Sequence, residues 1–160
     1  MPEKIERAEK ALERLLTWIN AADSRVRLVL PLSTAMLGAL AVLAPAQDKW
    51  TVCAGILTSI SGILLFLSIV FTACASFPRT TGPLGSTIYF GGIVSRELEQ
   101  YKMVIGEQSD DQYLDDLLCQ CHRNAQVAER KFNWVQKAMM SLFLATLPWL
   151  LAIATMYAQG

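Results

Sequence analysis

The chain has 160 residues and carries 14 Lys and Arg residues against 14 Asp and Glu residues, so its formal net charge is zero. Zero net charge argues against a nucleic-acid-binding protein that works by long-range attraction to phosphates. One His and four Cys, without a repeated Cys pair, argue against zinc-finger modules, so we expect no metal site. Common nucleotide-binding and hydrolase motifs are missing from the sequence, and we expect neither catalytic residues nor a cofactor.

Charge is distributed very unevenly along the chain. Three stretches of 20, 29 and 23 residues contain no Asp, Glu, Lys or Arg, namely Leu28–Gln47, Trp50–Pro78 and Ala138–Gly160. All 28 charges lie in the other 88 residues. A hydrocarbon core of about 30 Å requires about 20 apolar helical residues. The sequence therefore predicts an all-α membrane protein with three transmembrane helices, over residues 28–47, 50–77 and 138–158.

Residues 1–27 precede the first span and predict an amphipathic helix. Between Glu3 and Ala22 the apolar residues recur every three or four positions, and two i,i+4 pairs of opposite charge support the helix. Equal numbers of acids and bases favour packing on another helix over lying on the membrane surface. A bend before the first span is expected at residues 20–24.

Residues 78–137 predict a cytoplasmic helical region. Pro78 to Ser86 has the composition of a loop, and a short helix is expected over Val94–Ile105. A long helix is expected to begin at Ser109 with acidic residues in its first turn. Because this helix contains no Gly or Pro before Pro148, it should continue into the third span and kink only there.

The basic residues predict the orientation of the chain in the membrane. Thirteen of the fourteen Lys and Arg residues flank the spans on one side, and only Lys49 lies in the turn between the first two spans. Loops rich in Lys and Arg stay in the cytoplasm. We therefore expect the N-terminus and residues 78–137 to be cytoplasmic.

A basic stripe follows the long helix. Arg123, Arg130 and Lys137 are seven positions apart and lie on one helix face, with Lys131 beside them. Two interpretations remain open, a solvated helix face and an anion-binding site, because a charged stripe often serves only solubility.

Three segments carry a resemblance to a known family. They are Leu15–Arg25 (LLTWINAADSR), Tyr89–Ile93 (YFGGI) and Asn124–Phe132 (NAQVAERKF). In this order, and distributed over nearly the whole chain, they resemble the transmembrane effectors of Pycsar antiphage systems. The sequence departs mildly from the family's pattern at Arg25, where a Lys is often found.

The resemblance implies a function in antiphage defence. In that family a partner pyrimidine nucleotide cyclase makes cCMP or cUMP upon infection. The effector senses this second messenger and impairs the bacterial inner membrane, which causes abortive infection. The implied partners are therefore the lipid membrane, the cyclic nucleotide and, functionally, the cyclase, with no nucleic acid.

Three spans are too few to form a pore, so we also expect a homo-oligomer. Small residues in the spans allow close helix–helix contact. They are Thr34, Gly38, Gly55, Ser59 and Gly62.

A cyclic nucleotide presents one phosphate charge and a flat base, so its site requires cationic side chains, backbone donors and an aromatic face. The candidates for the phosphate are Arg79, Arg96, Arg123, Arg130 and Lys131. The candidates for the rest of the ligand are Tyr89 and Phe90 for stacking, Gly91 and Gly92 for N–H groups, and Asn124 for a base edge. For the two aromatic residues the alternative is ordinary packing against the long helix. Asp23 is expected to cap a helix or pair with an Arg.

Two functional classes follow. In the first, nucleotide bound between cytoplasmic helices reorients the rod from Ser109 to Tyr157 and opens or disorders the assembly. The alternative is a non-gated membrane scaffold or subunit that docks a cytoplasmic protein. An effector should be harmless alone and toxic with its nucleotide, whereas a scaffold should be indifferent to the nucleotide.

Overall fold

The computed structural model describes residues 2–46, 50–77, 82 and 85–158. Five helices and no strand are found in these ranges: α1 Pro2–Val42, α2 Val52–Ser76, α3 Phe90–Val94, α4 Leu98–Glu107 and α5 Asp110–Tyr157. By length and composition, α1, α2 and α5 can each cross a membrane. The prediction of an all-helical chain with three helices long and apolar enough to span a membrane is confirmed. As predicted, the third span is the C-terminal part of one long helix, α5.

The first half of α1 and the first span form one helix, which has no break at residues 20–24. No Gly or Pro lies between Pro2 and Pro31, so nothing local breaks the helix there. At Pro31, which lacks an N–H group, the Thr34 hydroxyl donates to the carbonyls of Leu30 and Pro31, both at 2.9 Å. The helix runs through Pro31 to Val42.

The long helix α5 begins where the sequence predicts. The Ser109 hydroxyl accepts a hydrogen bond from the Gln112 N–H at 3.3 Å, and the Gln112 side chain accepts from the Ser109 N–H at 2.9 Å. This reciprocal capping satisfies two backbone donors at the helix start. Asp110 and Asp111 occupy the first turn, where the helix dipole favours acids.

The short helix predicted over Val94–Ile105 is found as α4 with other bounds, Leu98–Glu107, and the one-turn helix α3 ends at Val94 before it. The Ser95 hydroxyl and the Arg96 guanidinium both donate to the Gly92 carbonyl, at 2.9 and 2.7 Å. Glu97 is extended, with φ −67° and ψ 150°. Side-chain bonds to the carbonyl thus accompany the end of α3, and the extended residue separates it from α4.

The described helices divide into two compact units. The charged unit comprises Met1–Ala21 and Pro78–Arg130, and the membrane unit comprises Ala22–Phe77 and Lys131–Gly160. Helices α1 and α5 each contribute residues to both.

In the charged unit, the first part of α1 packs on α5, as its balanced charge predicts. Ala8 and Leu117 are buried in this contact region. The Tyr113 hydroxyl donates to the Glu9 carboxylate at 3.0 Å, and the Cys121 thiol donates to the Ala8 carbonyl at 3.5 Å. The small, buried side chain of Ala8 thus allows the first part of α1 to lie close to α5.

In the membrane unit, α1, α2 and α5 enclose a core built around Leu65, Ala145 and Ala152, all fully buried. A polar contact at its centre joins the three helices. The Ser68 hydroxyl of α2 donates to the Ala138 carbonyl of α5 at 2.9 Å, and its oxygen lies 2.9 Å from the Ser33 hydroxyl of α1. Because Ser68 has only one hydrogen to donate, Ser33 must be the donor to Ser68.

A second polar bond links α1 and α5 in the same unit. The Trp149 indole N–H donates to the Met36 carbonyl at 2.8 Å. Trp149 lies too deep in the third span to be an interfacial Trp. The bond gives its indole N–H a partner at that depth. Trp149 directly follows Pro148, and α5 continues through both.

Replacing Ser68 with Ala removes both interhelical bonds of its hydroxyl. We expect the free energy of unfolding in detergent micelles to fall by about 1 kcal/mol, within the range of such bonds in membrane proteins. Titration with SDS, followed by circular dichroism, measures it. Ser59 is exposed on the same helix, so Ser59→Ala should change stability by less than about 0.5 kcal/mol. Equal losses in the two variants would contradict the importance of the Ser68 contact.

Burial, followed by the hydrogen bond to Glu9 and the charges of Glu9 and Asp116, raises the pKa of Tyr113 above its ordinary value of 10.0. The folded chain thus holds this proton at a pH where the unfolded chain releases it. The resulting stability is complete below about pH 10 and is lost as the pH rises through the folded-state pKa. Absorbance at 295 nm, compared between the wild type and Tyr113→Phe, isolates the titration. Glu9→Gln should lower the Tyr113 pKa; an unchanged value would exclude the Glu9 contact.

Candidate functional site

The loop Gly85–Tyr89 is fastened to the helices around it by buried polar side chains. The Ser86 hydroxyl accepts from the Tyr89 N–H at 2.9 Å and from the Gln120 amide at 3.0 Å. The Thr87 N–H and hydroxyl both donate to one oxygen of Asp116, at 2.7 and 3.0 Å. These residues hold the segment that carries the predicted aromatic candidates in one conformation.

Arg96 reinforces the same loop. Its guanidinium donates to the carbonyls of Gly85, Ser86 and Gly92, at 2.6, 3.0 and 2.7 Å. Three of its five N–H groups are therefore committed to the backbone. Sequence reasoning proposed Arg96 for a phosphate, whereas the geometry makes it a residue that positions the loop.

Gly91 and Gly92 lie in α3, where close packing requires the absence of a side chain. A Cβ at Gly92 would overlap the Ser86 carbonyl, and a Cβ at Gly91 would stand 2.5 Å from the Tyr89 ring. The sequence predicted that the backbone at these glycines approaches a ligand closely. In the structure, the Ser86 carbonyl and the Tyr89 ring lie close to it.

Tyr89 and Phe90 form an aromatic pair, with ring centroids 4.6 Å apart and planes tilted by 54°. Phe90 is 59% exposed, so packing against the long helix does not describe it. Its ring is accessible to a flat partner.

The remaining candidates of the charged unit lie on α5. The Arg123 guanidinium donates to the Gln126 amide oxygen at 3.2 Å, and the Asn124 amide donates to the Gln120 carbonyl at 2.9 Å. Arg130 is exposed and forms no ion pair with a residue that the structure describes. Arg79 lies outside the described residues.

A pocket of about 470 Å³ lies between the loop, α4 and α5. Its lining comprises Gly85, Ser86, Thr87, Val104, Glu107, Gln108, Gln112, Asp115, Asp116 and Cys119. Three of these side chains are carboxylates and none is cationic, so the pocket disfavours a phosphate and favours hydrogen-bond donors. None of the predicted site residues that the structure describes lines it.

Lys131 belongs to the membrane unit, where it is paired with Asp23. Its ammonium lies 2.6 and 2.7 Å from the two carboxylate oxygens. The side chains are only 18% and 33% exposed. Asp23 was expected to cap a helix or pair with an Arg, and its partner is this Lys. The charge of Lys131 is consequently already compensated.

The chain matches the family model of the Pycsar effector protein domain over residues 7–158. It belongs to the Pycsar effector family. The match covers both units and confirms the resemblance carried by the three segments. No match was found among curated proteins or among solved structures.

In this Pycsar effector the predicted site residues that the structure describes are distributed over both units. Tyr89, Phe90, Gly91, Gly92 and Arg96 lie around one loop, and Arg123, Asn124 and Arg130 follow one helix of the same unit. Lys131 is part of the other unit. Sequence reasoning missed Ser86, Thr87 and Gln120, because buried polar residues outside a periodic pattern give no signal of their burial.

The Asp23–Lys131 pair should contribute measurably to the stability of the membrane unit. We expect Asp23→Asn or Lys131→Met to cost about 1–3 kcal/mol in free energy of unfolding, between the ranges for exposed and buried pairs. Since each change leaves the other partner alone, the double variant should lose less than the sum of the two.

The control for this experiment is the exposed Glu99–Lys102 pair, whose side chains are 79% and 59% exposed. There Glu99→Gln should cost less than about 1 kcal/mol. Strict additivity of Asp23→Asn and Lys131→Met in an unfolding titration would contradict a direct interaction.

Proposed function

We propose that this Pycsar effector binds a cyclic pyrimidine nucleotide, cCMP or cUMP, made by a partner cyclase, and then impairs the bacterial inner membrane. The family match over residues 7–158 carries the proposal. The infected cell is arrested or killed before the phage completes its growth. In this proposal the N-terminus and the charged unit lie in the cytoplasm, where the nucleotide is made.

The division of the chain supports a receptor joined to a membrane-acting part. The charged unit holds the loop, the aromatic pair and the α5 residues Arg123 and Arg130, and the membrane unit holds the three apolar spans. Since α1 and α5 contribute to both units, each is covalently placed to connect them. A nucleotide changes the membrane unit only if it binds two conformations with different affinity.

Arg130 is our candidate for the phosphate contact. Arg96 is engaged by three carbonyls and Lys131 by a carboxylate. The exposed guanidinium of Arg130 retains its donors for a bidentate bond to phosphate oxygens. We propose the exposed ring of Phe90 as a stacking surface for the base.

The active form in this proposal is a homo-oligomer. Positions Gly38, Gly55 and Gly62 have no neighbouring atom within 4 Å of where a Cβ would stand. Helices of a second copy can therefore approach these backbones closely, as small residues permit in membranes. One chain has too few spans to form a membrane lesion, and several copies together provide enough.

Dye leakage from liposomes tests the function. The full chain is reconstituted into phosphatidylethanolamine–phosphatidylglycerol vesicles loaded with a fluorescent dye. Then cCMP, cUMP or cAMP is added on both sides of the membrane. We expect leakage with one pyrimidine nucleotide and none with cAMP or without nucleotide. If leakage is the same with and without each of the three nucleotides, and calorimetry shows no binding, the scaffold alternative is favoured.

Arg130→Gln should require at least about tenfold more nucleotide for half-maximal leakage, because a charge-assisted bond to phosphate is lost. Lys4→Gln serves as the control, since Lys4 is likewise exposed. Lys131 is unsuitable, because its removal also breaks the pair with Asp23. An unchanged response of Arg130→Gln would remove this residue from the site while leaving the function itself untouched.

A further inference from the structure

The membrane unit contains a groove of about 350 Å³ that the nucleotide proposal does not use. It is lined by Arg25, Phe132, Gln136, Met139, Met140 and Phe143. Arg25 comes from α1 and the other five residues from α5. The groove is thus formed where these two helices lie side by side.

The lining residues of α5 occupy one face of the helix, at positions i, i+4, i+7, i+8 and i+11 from Phe132. Their character changes along the helix axis. Gln136 is polar, while Met139, Met140 and Phe143 belong to the uncharged third span. At about 1.5 Å per residue, the groove passes from its polar end at Phe132 to its apolar end at Phe143 over roughly 16 Å.

The polar end carries an uncompensated positive charge. The Arg25 guanidinium lies 5.4 Å from the centre of the Phe132 ring. It forms no ion pair with any carboxylate in the described part of the chain. The neighbouring acid, Asp23, has both oxygens bound by Lys131. A guanidinium held against an aromatic ring keeps its N–H groups for an anion.

The apolar end is open to the surroundings of the helix. Phe143 is 70% exposed and Met140 is 55% exposed. In a chain that spans a membrane, such side chains contact acyl chains. Arg25 precedes the first uncharged stretch by three residues, so it stands at the depth of the lipid headgroups.

We propose that this groove binds one phospholipid. Its phosphate accepts hydrogen bonds from Arg25 and from the Gln136 amide, and one acyl chain follows Met139, Met140 and Phe143. The combination of one cation and a membrane-facing apolar wall matches an amphiphile. A cyclic nucleotide would instead place its sugar hydroxyls against the apolar wall without partners. A phospholipid so bound touches both α1 and α5 beside the Asp23–Lys131 pair.

Native mass spectrometry of the purified full chain in detergent tests the proposal. Dioleoyl phosphatidylglycerol is titrated, with dioleoylglycerol as the probe that has the same chains and no phosphate. We expect one tightly bound phosphatidylglycerol, and binding about tenfold weaker in Arg25→Gln, as loss of a charged hydrogen bond implies. Arg27→Gln is the matched control, because Arg27 is exposed two positions along and lies outside the groove.

Two further variants keep the outcome clear if Arg25→Gln is poorly folded. Arg25→Lys should bind phosphatidylglycerol almost as the wild type does, because the charge is kept. Phe143→Ser should weaken both probes, because it shortens the apolar wall. Equal affinity of Arg25→Gln and Arg27→Gln for phosphatidylglycerol overturns the proposal, as does dioleoylglycerol binding as tightly as phosphatidylglycerol. Displacement of the lipid by micromolar cCMP, cUMP or glycerol phosphate would also overturn it, in favour of a soluble phosphate ligand.

Discussion

The hydroxyl of Ser68 is the contact on which the arrangement of the three long helices depends. Within a bilayer, apolar side chains gain little by leaving lipid for another helix, so packing of small residues and interhelical hydrogen bonds decide which faces meet. Ser68 supplies both: it is fully buried, and its one oxygen connects α1 through Ser33 with the α5 backbone at Ala138. The Trp149 bond to Met36 fixes α1 against α5 further along.

The charged unit follows a different rule, because water is available there and order must come from side chains that satisfy the backbone. Arg96 donates hydrogen bonds to three carbonyls, and Asp116 accepts two from Thr87. The absence of a side chain at Gly92 leaves room for the Ser86 carbonyl. The loop was predicted to bind a nucleotide because a cation, Arg96, lies near Gly91 and Gly92. In the fold, Arg96 and Gly92 already make contacts with the loop itself. Among the candidates that the structure describes on this unit, the ring of Phe90 and the guanidinium of Arg130 are exposed.

Patterns that extend over many residues were predictable from the sequence. Uncharged stretches gave the three spans, and Ser109 with two following acids gave the start of α5. The bounds of α3 and α4 were not predictable, since they depend on side-chain bonds of Ser95 and Arg96 that have no periodicity. Nor does sequence spacing reveal that Lys131 meets Asp23, a partner 108 positions away. Lys131 thus differs from its neighbour Arg130 in having a paired charge, which spacing alone could not distinguish.

The polar contacts of the membrane unit also impose an order on biogenesis. Ser33 and Ser68 lie on the first two spans, so they can meet as soon as that hairpin leaves the ribosome. The acceptor of Ser68 and the partner of Asp23 are contributed by α5, whose span is the last to be synthesised. Until then the hairpin carries an unneutralised carboxylate and an unused hydroxyl hydrogen. Only once the final helix is in place can the Ser68–Ala138 and Asp23–Lys131 contacts form.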